Sequence, residues 1–123
     1  MEIEYFNRTV EEQCTSVKAA KKLFGGDMVL VRSLMSRMQA LRSAETIKDI
    51  IFQKQFRFHK LYKKGSKDLE GYFAIDVKSS KESWRIVLQP LDDNGKPFVP
   101  CNIDEIAGNV RIVEISEVSK HYE

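Results

Sequence analysis

The most constraining feature of this chain is a change of hydrophobic period near residue 56. Before it, apolar residues recur every three or four positions, and after it they alternate. Val10, Cys14, Val17, Ala20 and Phe24 form one helical stripe, and Met28, Val31, Leu34, Met35, Met38 and Leu41 form another. Thr9 and Glu12 have capping-box spacing, Gly25-Gly26 is a left-handed helix stop, and Asp27 can cap the second helix. The spacing predicts an antiparallel helical hairpin over 9–42, preceded by a short strand at EIEYF and followed by a brief helix within 44–51. The runs FRFHKLY, YFAIDV, WRIVLQP and VRIVEIS then read as four strands rich in β-branched and aromatic residues. Short polar links between the first three imply an antiparallel meander. The long link 92–109, with Asn94-Gly95, Pro97 and Pro100, reads as a surface excursion. The expected class is α+β: an N-terminal helical hairpin packed on a small twisted antiparallel sheet, as one domain spanning 1–123. Phe24, Val31, Leu34, Met38, Ile75, Ile86, Leu88 and Ile112 are the expected core.

Composition narrows the function. The apolar runs are far shorter than the roughly 20 residues of a membrane span, and the acidic start MEIEYFNRTVEEQ does not resemble a secretory leader. A cytoplasmic location is expected. Cys14 and Cys101 stand alone, without partners at zinc-ligand spacing, so neither a disulfide framework, a metal site nor a cofactor is signalled. Net charge is only +2, but its distribution is uneven. Residues 18–42 hold six Lys or Arg against Asp27 alone, and 52–67 hold six with no acid. Two such blocks in an otherwise acidic chain suit a polyanion.

Strand alternation sets Arg57 and His59 on one face and Phe56 and Phe58 on the other, with Arg85 able to join the first pair. A sheet face bearing Arg, Lys, His and Tyr without clustered acids suits an RNA phosphate better than metal-dependent hydrolysis. Metal-free cleavage by the ribose 2′-hydroxyl needs a base, an acid for the leaving 5′ oxygen, and fixed cations for the phosphorane-like transition state. Arg85, His59, Arg57, His121 and Tyr122 are the candidates for those roles. Lys54, Lys60, Lys63 and Lys64 are candidate RNA contacts. No dinucleotide fingerprint, P-loop, HExxH or nucleophile elbow is present.

From about residue 17 onward, FRFHKLYKKGSKDLEGYFAIDV, WRIVLQP and VRIVEIS together resemble the HigB-like killer toxins of the RelE/ParE superfamily. The resemblance implies a toxin of a type II toxin-antitoxin system with a RelE-like fold. It implies a metal-independent, ribosome-dependent mRNA endoribonuclease, with a cognate helix-turn-helix antitoxin, the ribosome and mRNA as partners. The matching site positions are Arg57, His59 and Arg85. The family's C-terminal Asp-Tyr-His is replaced by Glu117-Val118-Ser119, with His121-Tyr122 coming after it in reversed order. That departure keeps open a second reading, a non-enzymatic binder: a degenerate toxin or one directed at gyrase.

Overall fold

The computed structural model describes residues 1–62 and 68–120, and within them the chain is α+β. The elements in order are β1 (Glu2–Tyr5), α1 (Arg8–Thr15), α2 (Val17–Leu23), α3 (Met28–Ser43), α4 (Ile47–Ile51), β2 (His59–Lys60), β3 (Phe73–Asp76), β4 (Arg85–Leu91), α5 (Ile103–Ile106) and β5 (Ile112–Ser119). The strands form one sheet in the order β1-β5-β4-β3-β2.

That sheet is mixed, not antiparallel. β2, β3 and β4 run antiparallel as the short links imply, and β5 is antiparallel to β4 across the long link, but β1 lies parallel to β5, pairing Glu2 with Ile112 and Tyr5 with Ile115. The helical segment between β1 and the later strands reverses the chain before the sheet continues, which fixes this direction. The first helical arm is also divided. Ser16 takes an extended conformation (φ −117°, ψ 122°), its amide donating to the Glu12 carbonyl to close α1 and its hydroxyl accepting from the Ala19 amide to open α2. The cap of α1 is Asn7, whose side chain accepts from the Val10 amide 2.9 Å away, and not Thr9. An Asx side chain at the true boundary outcompetes a threonine two residues later. Asp27 caps α3 as expected, accepting from the Val29 and Leu30 amides. Gly25 (φ 61°) and Gly26 (φ 92°) make the turn ahead of it, a conformation that side chains with a Cβ resist. Asp49 folds back to accept from the Glu45 and Thr46 amides and so starts α4.

One sheet face is buried against the helices. Phe73, Ile75, Ile86, Leu88, Val113 and Ile115 pack with Leu30, Val31, Leu34, Met38 and Leu41 of α3 and with Cys14 and Ala20. All eight expected core residues are buried. Burial pushes the Cys14 thiol up to about 12, so this cysteine behaves as a small apolar filler. Leu34 is fully buried at the centre of this layer. Leu34→Ala is expected to cost about 2–5 kcal/mol through lost transfer energy and the cavity left behind, read as a lower urea midpoint.

The opposite face differs from expectation in two ways. Its centre is covered: Ala74 and Val87 lie under Leu61 and Leu69 in a second, smaller apolar cluster. Its β1–β5 side is acidic, because Glu4 lies directly beside Glu114 and Glu117 lies further along the same strand. The expectation of a face without clustered acids is therefore corrected. The alternation of EIEY and VEIS around the inward-facing Ile3, Val113 and Ile115 sends the glutamates outward. Burial, with help from the Glu4 charge, raises the Glu114 pKa above the ordinary carboxylate value. A folded value above the unfolded one means that Glu114 contributes stability below its unfolded pKa, and this is lost as pH rises through the folded value. Glu114→Gln is expected to remove that component, giving a flatter fall in thermal midpoint between pH 4 and neutrality.

Candidate functional site: an arginine cluster at one end of the sheet

β3 and β4 set the site. In β3 the residues alternate so that Phe73, Ile75 and the adjoining Val77 enter the core while Ala74 and Asp76 face the other way. Asp76 is 1% exposed, and a buried carboxylate needs compensation. Its register partner is Arg85, the first residue of β4, whose Nε stands 3.2 Å from Asp76 Oδ1 in a close ionic contact misaligned for a hydrogen bond. From the other side Arg57 grips the same carboxylate with its fork, Nε donating to Oδ2 at 2.9 Å and Nη2 to Oδ1 at 2.9 Å. A third guanidinium, Arg37 of α3, donates to the main-chain carbonyls of Asp76 (3.0 Å) and Lys78 (3.2 Å) and lies 4.5 Å above the Phe56 ring. Burial lowers the Arg37 pKa, with the Asp76 charge opposing that shift. Three cations thus gather around one aspartate.

Arg57 does not belong to β2. It comes after a 3-10 turn, Lys54–Phe56, and takes the left-handed conformation (φ 49°, ψ 53°), so the alternation expected from Phe56 begins only at His59. A non-glycine residue in that region costs energy that the surroundings must offset, and the bidentate Asp76 contact does so. Arg57 and His59 still meet, because the His59 Nδ1 lies 2.7 Å from the Arg57 carbonyl. A carbonyl only accepts, so Nδ1 carries the hydrogen and the neutral ring keeps its lone pair on Nε2. That Nε2 is buried and has no hydrogen-bond partner among the described residues.

Arg85 is brought to the cluster but is spent there. It is 6% exposed, and its Nη1 donates to the Ser79, Glu82 and Trp84 carbonyls while Nη2 donates to Ser80. The guanidinium ties down the 79–84 turn and is not the open phosphate fork expected from the sequence; Arg57, at 38% side-chain exposure, is the more accessible of the two, though its fork is engaged by Asp76. β5 ends at Ser119 opposite Arg85, and the next residue, Lys120, holds its ammonium 5.5 Å from the Trp84 ring. Of the expected RNA contacts, Lys54 is exposed on the 3-10 turn, and Lys60 is exposed on β2, 3.7 Å from Glu70. Lys63, Lys64, His121 and Tyr122 lie outside the described residues.

Two members of the cluster, Asp76 and Arg37, were absent from the sequence expectation. Asp76 had a signal, a lone acid inside the otherwise apolar run YFAIDV; Arg37 looked like one more solvated helix charge. Among the described residues no helix is long and apolar enough to cross a membrane. No family model, curated protein or solved structure matches this chain.

Proposed function

We propose that the chain is a RelE/ParE-type, HigB-like toxin: a metal-independent endoribonuclease that works in the cytoplasm on ribosome-bound mRNA and is held inactive by a cognate helix-turn-helix antitoxin. The observation that carries this reading is the convergence of Arg37, Arg57 and Arg85 on the single residue Asp76. An excess of partly desolvated guanidinium charge at one spot is complementary to a phosphodiester. The helices packed on one sheet face, ahead of an antiparallel run from β2 to β5, support the RelE-like reading of the fold.

In this reading His59 is the candidate base for the 2′-hydroxyl proton. The oxygen attacks the adjacent phosphorus, and the partly exposed Arg57 guanidinium stabilises the added negative charge. Arg85 acts through Asp76 and the 79–84 turn as a positioning residue. His121 and Tyr122 remain the candidates for protonating the departing 5′ oxygen. Lys54 and Lys60, with Lys63 and Lys64, contact the RNA backbone, and an acidic antitoxin segment would cover the same surface. The test is incubation of the purified protein with programmed ribosomes in EDTA. Cleavage of the bound message is expected, together with weaker ribosome binding and a shallower salt dependence when the block 52–67 loses its lysines.

A specific observation favours the second reading, the non-enzymatic binder. Both terminal nitrogens of Arg85 are held by carbonyls, and acidic Glu114 and Glu117 occupy part of the sheet face that RNA would cross. Ribosome or gyrase binding by the parent without any RNA cleavage would select it.

A further inference from the structure

We infer that a cavity beside edge strand β2 is a nucleobase subsite, selective for guanine, that holds a base of the same RNA whose phosphate meets the arginine cluster; this rests on the RNA-directed reading above. The cavity measures about 390 Å3, within the range of small-ligand sites of about 300–1,000 Å3. Pro100, Cys101 and Ile103 supply apolar walls beside the buried Phe73, while Lys60, Asn102 and Asp104 supply its polar rim. The excursion 92–109 is thus more than a surface link: its α5 end closes a hollow against the strand that carries His59.

Lys60 connects the two sites. It stands next to His59 in β2 and pairs with Phe73 of the cavity wall, whereas His59 pairs with Ala74 on the opposite face. An RNA strand crossing this two-residue edge therefore meets the candidate base and phosphate ligands on one side and the cavity on the other. The Lys60 ammonium also stands 5.8 Å from the ring of Tyr62, which is 74% exposed. A cation next to an exposed aromatic is the pairing that single-stranded RNA exploits through phosphate contact and stacking.

The rim chemistry selects the base. A carboxylate only accepts, so the edge facing Asp104 must donate. Guanine presents N1–H and the 2-amino group side by side, matching the two carboxylate oxygens. Uracil and cytosine lack that adjacent pair. Asn102 makes no side-chain capping bond to α5, and both Asn102 and Asp104 are exposed, so changing them removes no internal support.

The experiment measures binding of the full chain to oligouridylates carrying one central guanosine, inosine, adenosine or abasic residue. A bidentate base contact is worth about 1–3 kcal/mol of discrimination, so guanosine is expected to bind about tenfold tighter than inosine or the abasic oligomer. Asp104→Asn should level that preference, and Lys60→Ala should weaken every oligomer and reduce the salt slope. Equal binding of guanosine and inosine oligomers by the parent, or a guanosine preference surviving in Asp104→Asn, overturns the subsite and leaves the RNA reading standing. A parent that binds no oligomer at low salt overturns both.

Discussion

Asp76→Ala is expected to lower the unfolding free energy by about 3–5 kcal/mol, the usual cost of removing one partner from a buried ion pair. The loss should exceed that of an ordinary buried contact because Asp76 serves two guanidinium groups at once, and Arg85 cannot turn to solvent while its nitrogens hold the Ser79, Ser80, Glu82 and Trp84 carbonyls. Arg57 would also lose the contact that offsets its left-handed backbone. Asp76→Asn, which keeps an oxygen acceptor, should lose less. The paired change Asp76→Leu with Arg85→Met should recover much of the loss, since apolar replacement of a buried pair is often neutral or stabilising. Urea unfolding of the three proteins checks this. A parent-like midpoint for Asp76→Ala would mean that the cluster is held together by the carbonyl cage alone.

The second large effect concerns activity. Under the proposed chemistry, His59→Ala should reduce message cleavage about 100- to 10,000-fold, the range for a positioned proton acceptor. Arg57→Lys should reduce it about 100- to 1,000-fold, the scale of losing one preorganised donor to the transition state. Lysine keeps the charge and a contact to Asp76 but cannot present a fork, so the unfolding midpoint should move much less than the rate. Arg85→Ala should behave in the opposite manner, losing activity together with stability. Single-turnover cleavage and unfolding measured on the same preparations separate the two patterns. An Arg57→Lys protein as fast as the parent would remove Arg57 from the transition state.

These variants also mark where the sequence was informative. The buried stripes of α3 and of β3 to β5 are legible because burial on one face imposes a period, and Leu34, Met38, Ile75 and Ile86 all fall where that period puts them. Local competition was harder to read. Asn7 and Thr9 both fit a helix start, and only the backbone at Asn7 decides between them. Likewise FRFHKLY has the composition of a seven-residue strand, yet the left-handed Arg57 leaves only His59–Lys60 paired. The parallel pairing of β1 with β5 had no local signal at all, because both strands alternate in the same way whichever neighbour they choose. At the candidate site, the types Arg57, His59 and Arg85 were visible as chemistry. The acceptors that Arg85 finds depend on the path of the 79–84 turn, which alternation does not encode.

The parallel pairing has a consequence for how the protein comes into being. Residues 2–5 pair in register with residues 112–115, and the Glu2 amide donates to the Arg111 carbonyl. β1 must therefore wait without its strand partner until β5 has been made. Contacts so distant in sequence close a loop of more than a hundred residues and slow the final step of folding. β5 also pairs with β4 from Leu91 to Arg85, so the strand that completes the sheet lies alongside the strand that opens on the arginine cluster.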